Sequence, residues 1–246
     1  MTKTIPVLPI ENQEESLNGR VYLVTGATGG LGQAVSLQLA KLGATIILSG
    51  RNDDKLNQIY DRIEQSGHPT PAIISFDLEQ TDEDIYKQFA NSIYSEFNKL
   101  DGIVHCACQL GVIGPMDSQD GSLWLQTQQV NVNAAAILSK VCLPLLQQAR
   151  DASITFVSDS SARQSKAYWG SYGVSKVAVE SLSAILADEL ENTNTVSNVY
   201  IPGPCILPIR KKTHPGEKNS TLDTAHHIAK KLVNCIISEK SGSCFS

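Results

Sequence analysis

The sequence predicts an α/β protein built on a parallel sheet. Short apolar runs alternate with helical stretches from one end of the chain to the other. Those runs are continuously apolar rather than alternating, as strands buried on both faces are. The chain has 246 residues, with 41% hydrophobic and 18% charged, which suits one sizeable α/β domain.

Taken in order, Arg20–Gly26 (RVYLVTG) reads as the first strand, and Leu31–Gly43 as a helix ended by a glycine. Ala44–Gly50 is the second strand, and the NDDKLNQIYDRIEQ stretch from Asn52 is a helix that opens on its own cap. Pro71–Asp77, Leu100–Ala107, Ser153–Asp159 and Val196–Gly203 follow as strands three to six, with helical patterns between them. Two helices are long, roughly Ser118–Gln148 and Trp169–Glu191. Pro202–Ser220 is the one long irregular stretch, and loops of that length are usually functional. A last helix leads to GSCFS, where only a stub of a seventh strand fits. Without linker or repeat, the reading is an arm over residues 1–18 and one domain over 19–246, with a substrate loop at about 202–220.

A net charge of −5 with no basic stripe argues against a nucleic-acid partner, and Arg210–Lys212 reads as a solvated loop. The apolar runs are strand-sized, and the first residues lack a leader pattern, so a cytoplasmic protein without membrane contact is expected. Six scattered cysteines read as buried, reduced thiols. His105, Cys106 and Cys108 lack a second ligand pair, so no metal is expected.

Chemistry is suggested at two places. The stretch VTGATGGLG carries Gly26, Gly30 and Gly32 between the first strand and the first helix. Missing β-carbons there let a backbone approach a pyrophosphate, and a helix N-terminus offers free N–H groups. After the second strand, where NAD-preferring proteins carry an acid, SGRND has Gly50 with Arg51 behind it and no acid opposing the arginine, so NADP is expected over NAD. The second place is YGVSK, with Tyr172 and Lys176 on one helix face behind the strand tip FVSDSS. A nearby ammonium pulls down the pKa of a phenol and makes it a usable acid or base.

Together, TGxxxGxG at Thr25–Gly32, VN at Val130–Asn131, the serines, YGVSK, and PG at Pro202–Gly203 resemble a short-chain dehydrogenase/reductase. The likeness is to its single-domain branch, and to small bacterial oxidoreductases sharing SGRN, VNVNA and RQ…WGSY-like stretches. The resemblance implies a doubly wound (Rossmann) seven-stranded sheet with helices on both faces, and hydride transfer to or from a small carbonyl or alcohol. It also implies a homodimer or homotetramer joined through the two long helices.

By position, Tyr172 becomes the acid/base, Lys176 the group that holds the ribose and lowers the tyrosine pKa, and Asn131 the anchor of a proton-relaying water. The resemblance lays the cofactor along Gly26, Thr28, Gly30, Leu31, Gly32, Arg51, Asp77, Leu78, Ala107, Pro202 and Gly203, as well as Tyr172 and Lys176.

The pattern also breaks. His105–Cys108 stands where the family has Asn-Asn-Ala-Gly, and Leu207 where a threonine is usual. Asp159 occupies the serine place thirteen residues before the tyrosine. A carboxylate accepts hydrogen bonds and cannot donate to a carbonyl, so Ser158 or Ser160 are candidate substitutes. Two functions follow: an NADP-dependent oxidoreductase, or a non-catalytic dinucleotide-binding sensor or scaffold.

Overall fold

The computed structural model describes residues 4–7 and 17–246, apart from the side chains of Ser161 and Ala162. Among the described residues, eight strands form one parallel sheet: β1 (Thr4–Ile5), β2 (Val21–Thr25), β3 (Thr45–Gly50), β4 (Ala72–Ser75), β5 (Gly102–His105), β6 (Ala152–Val157), β7 (Thr195–Tyr200) and β8 (Cys244–Phe245). Their order is β1-β8-β7-β6-β5-β2-β3-β4. The connecting helices are α1 (Gly30–Lys41), α2 (Asp53–Gln65), α3 (Glu83–Phe97), α4 (Gly121–Gln128), α5 (Ala134–Leu146), α6 (Ser160–Arg163), α7 (Gly170–Glu189), α8 (Pro208–Thr213) and α9 (Ala225–Ile236).

Side chains on successive strand residues point to opposite faces, so each strand feeds two cores. Val21 and Leu23 of β2 pack with α3, α5 and α7 through residues such as Phe89, Leu138 and Val179. Tyr22 and Val24 pack with α1, α2 and α9 through Leu39, Ile59 and Leu232. Helices cover both faces of the sheet. That explains why the strands read as continuous apolar runs.

Local chemistry fixes the ends. Asn52 caps α2 by accepting from the Lys55 N–H at 2.8 Å, as its sequence suggests. Gly43 follows α1 at φ +92°, a conformation that side chains disfavour. The sheet order reverses at β2, which pairs with β3 on one side and β5 on the other. A crevice opens beyond the strand tips at such a switch point.

The sequence reading differs from the structure in four places. The eighth strand, β1, comes from the expected N-terminal arm and pairs with β8. Two residues are too few for a readable pattern, and residues 1–3 and 8–16 of that arm lie outside the described ones. The expected loop over 202–220 contains the short helix α8. The helix over Gly121–Leu146 is long and apolar enough to cross a membrane by length and composition, although the apolar runs of the sequence read as strand-sized. It buries Ala134, Leu138 and Cys142 in the core. Finally, not every cysteine is buried: Cys108 is exposed and Cys106 half-buried.

Candidate active site

The tips of β2, β3, β5, β6 and β7 open into one cleft of about 360 Å³, the size of a small-molecule or cofactor site. Every residue assigned to cofactor binding lines it: Gly26, Thr28, Gly30, Leu31, Gly32, Arg51, Asp77, Leu78, Ala107, Tyr172, Lys176, Pro202 and Gly203.

At one end the backbone itself shapes the wall. Gly26 sits at φ +63°, and a Cβ there would meet Ala107 backbone atoms at 2.6 Å. A Cβ on Gly32 would meet the Gly26 carbonyl oxygen at 2.2 Å. Since real contacts never come that close, both positions require glycine. The same absence of side chains lets the start of α1 line the cleft, with Leu207 and Pro208 packed against Gly30, a cradle that fits a pyrophosphate.

Arg51 follows Gly50 at the tip of β3. Its Nη1 pairs with Glu79 at 2.6 Å and lies 3.8 Å from Asp77 Oδ1. The sequence reading found no acid opposing Arg51, and the structure corrects it. Glu79 lies 28 positions along the chain, and the fold brings it back.

At the other end, β6 and α7 bring Asp159, Tyr172 and Lys176 together. The Tyr172 hydroxyl donates to Asp159 Oδ2 at 2.9 Å. Lys176 donates from Nζ to the Val157 carbonyl at 2.8 Å, and its ammonium lies 5.6 Å from the centre of the Tyr172 ring. Burial first, then the neighbouring Cys108 and Asp159, hold the Tyr172 phenol well above its ordinary range. The lowering expected from Lys176 is therefore not what this geometry produces. The lysine is turned to the strand tip, while an acid faces the phenol.

Of the two candidate serines, Ser158 is 2% exposed and donates to Glu180 Oε1 at 2.6 Å, with a longer bond to the Lys176 carbonyl. Its hydroxyl is occupied by Glu180, which argues against Ser158 as a substitute donor. Ser160 is exposed and lies on the cleft wall.

Asn131 lies outside the cleft wall, in a π-helical turn (Gln129–Asn133) between α4 and α5. Such turns are frequent at functional positions. Its side chain accepts from Gln109 N at 2.7 Å and donates to Gln109 O and Ser175 Oγ, both at 2.9 Å. It thus ties the chain beyond β5 to α7. Behind the cleft, Asn131, Lys176 and Thr25 share a cavity of about 10 Å³, close to the least room a water needs.

His105 is turned away from the cleft. It stacks on Phe156 at 4.8 Å and bonds to Ser139 Oγ at 3.0 Å. Burial pulls its pKa down to about 3, so it stays neutral. Among the described residues no group of three His, Cys, Asp or Glu side chains could hold a metal ion.

Sequence reasoning did not single out Gln109, Ser175 or Glu180. Ser175 and Glu180 sit on α7 beside the YGVSK pair, where helical spacing around Lys176 offered a signal. Cys205 and Arg210 also line the cleft; both fall in the stretch expected as a substrate loop, and Arg210, read from the sequence as part of a solvated loop, lies in α8 and is bound to Glu217.

A glycine turn at the switch point of a parallel sheet, facing a tyrosine–lysine pair across one cleft, defines a dinucleotide-type α/β site. The chain belongs to the short chain dehydrogenase family, whose sequence profile matches residues 20–218. It is 37% identical over 212 residues to the uncharacterised oxidoreductase YciK of Escherichia coli K12, covering 86% of this chain and 84% of that one. A crystal structure of a short chain dehydrogenase from Salmonella enterica serovar Typhi CT18 superposes with a TM-score of 0.92 at 36% identity, covering 96% of this chain and 98% of the other. A short chain dehydrogenase from Shigella flexneri 2a, solved as a complex with NADP, gives 0.90 at 34% identity, covering 95% and 98%.

Proposed function

We propose that the chain is an NADP(H)-dependent oxidoreductase acting on a small substrate at the Tyr172 end of the cleft. The observation that carries this is the convergence of the glycine cradle, Arg51 and the Tyr172–Lys176 pair on one cleft of about 360 Å³. The NADP complex of the Shigella relative supports the choice of cofactor. The Gly26–Gly32 turn would hold the pyrophosphate with backbone N–H groups. Arg51 would hold the 2′-phosphate, exchanging Glu79 for it. Lys176 and the Pro202–Gly203 turn would hold the nicotinamide end.

A bound nicotinamide supplies the hydride. The chain's own part is to orient the substrate beside Tyr172 Oη, which stays protonated at neutral pH and so serves better as a proton donor than as a base. The water-sized cavity between Asn131 and Lys176 supports a proton relay behind the tyrosine. Titration of the protein with NADPH and NADH tests the reading, and a preference for NADPH is expected. Binding of neither would refute it.

One observation favours the second reading, a dinucleotide-binding protein without turnover: on the cleft wall, the Tyr172 hydroxyl already donates to Asp159. Turnover of any substrate that depends on Tyr172 decides against it.

Leu125 on α4 and Val174, Val177 and Ile185 on α7 are exposed apolar side chains on adjoining helices. That patch supports a homo-oligomer with two-fold symmetry. Light scattering at micromolar concentration should show a dimer or tetramer, and a monomer would refute it.

A further inference from the structure

We propose that the reacting end of the cleft recognises a positively charged nitrogen, a protonated C=N group or the amine it becomes, in place of a carbonyl oxygen. This deepens the oxidoreductase reading and rests on it.

Three of the donors that could meet a carbonyl are engaged elsewhere, and of the candidates only Ser160, at the exposed rim of the wall, has no such bond among the described residues. The Tyr172 hydroxyl donates a hydrogen bond to Asp159, the Ser158 hydroxyl one to Glu180, and the Lys176 ammonium one to the Val157 carbonyl. At the serine place the cleft wall offers a carboxylate, Asp159. A developing oxyanion beside a carboxylate is repelled, whereas an N–H⁺ group gains a charge-assisted hydrogen bond. A carboxylate has about four lone-pair sites, so Asp159 can keep Tyr172 and its other partners and still accept from a substrate.

Lys176 and Arg210, which line the cleft with Asp159, each have another partner, the Val157 carbonyl and Glu217 respectively. Arg210 is attracted by Asp159, but its guanidinium is held first by Glu217, through bonds of 2.6 and 2.7 Å. The Cys205 thiol is pushed up to about 11 by burial and stays neutral. Cys108 lies beside Tyr172.

The chemistry also suits a tyrosine with a high pKa. As the hydride arrives, a C–H bond forms on the C=N carbon, the π pair becomes the nitrogen lone pair, and reduced nicotinamide is oxidised. The product is a neutral amine, and no proton has to be delivered in that step. Tyr172 can therefore keep its bond to Asp159 throughout. Reduction of a carbonyl, by contrast, needs a proton from a phenol that holds it tightly.

The test uses the protein saturated with NADPH, titrated calorimetrically with pyrrolidinium and with cyclopentanol, neither of which reacts with NADPH. Pyrrolidinium should bind more tightly than cyclopentanol. Asp159→Asn should weaken it by about 10- to 100-fold and cyclopentanol by far less, and NADPH titration of the variant checks that the cofactor end still forms. The wild type should also oxidise NADPH with 1-pyrroline faster than with cyclopentanone. Tight NADPH binding without discrimination between the two rings, or with discrimination untouched by Asp159→Asn, overturns this inference alone. Failure of NADPH to bind overturns the oxidoreductase reading and this inference together.

Discussion

The two ends of the cleft are built from different materials. At the phosphate end the wall is backbone, and its chemistry resides in N–H groups and absent β-carbons. At the reacting end it is side chains on β6 and α7, and one of them, Asp159, has a charge where the family carries a hydroxyl. A backbone site tolerates almost no substitution, because any added atom collides with the turn. A side-chain site keeps its fold while a residue is exchanged, so its chemistry can change without loss of architecture.

The largest effect should come from breaking the backbone end. Gly32→Ala puts a Cβ 2.2 Å from the Gly26 carbonyl oxygen, so the turn must shift. Overpacking of this kind costs about 1–3 kcal/mol, and NADPH binding should fall away. The control is Gly121→Ala, outside the cleft wall, where nothing lies within 4 Å. Thermal melting and NADPH titration of the pair should separate them clearly, and equal behaviour would show that the turn is not a rigid cradle.

At the reacting end, Tyr172→Phe removes the proposed proton donor while leaving the glycine turn intact. Carbonyl turnover should drop by a factor of about 10² to 10⁴, with NADPH affinity nearly unchanged. The pH dependence has a definite sign. Burial, Cys108 and Asp159 all raise the Tyr172 pKa, so its phenol remains neutral past its ordinary range. Asp159→Ser removes one of those causes, and the Tyr172 titration followed by NMR should move down, though burial keeps it from returning fully. A Tyr172 that ionises at its ordinary pKa in the wild type would contradict the geometry.

The smallest effects belong to the rim. Arg51→Ala should weaken NADPH about tenfold relative to NADH. Glu79→Gln, which frees the arginine from its 2.6 Å partner, should strengthen NADPH by up to about fivefold, because exposed pairs contribute about 0–1 kcal/mol. If Glu79→Gln weakens NADPH instead, the pair supports the cofactor rather than competing with it.

The same contrast explains what the sequence revealed. Glycines at 26, 30 and 32 mark a backbone shape within seven residues, so the phosphate end could be read locally. Asp159 was visible as a departure at a fixed distance from Tyr172, but its bond to the phenol and the turning of Lys176 to Val157 depend on how β6 meets α7. Glu79 reaches Arg51 only because β3 and β4 are neighbours. Similarly, the Ser158 hydroxyl is taken up only because α7 brings Glu180 beside it. The edge strand β1 exists through its pairing with residues 244–245 at the far end of the chain, and no local pattern could announce it.

The central claim is that the cofactor end is kept while Asp159, at the serine place, has altered the reacting end. It is tested most directly by carbonyl reduction with NADPH in the wild type and Asp159→Ser, with NADPH affinity measured in both. Restoring a hydroxyl donor should raise carbonyl turnover by about 10² to 10³ at unchanged NADPH affinity. Equal turnover in the two proteins, or a gain that comes with altered NADPH affinity, would contradict the account.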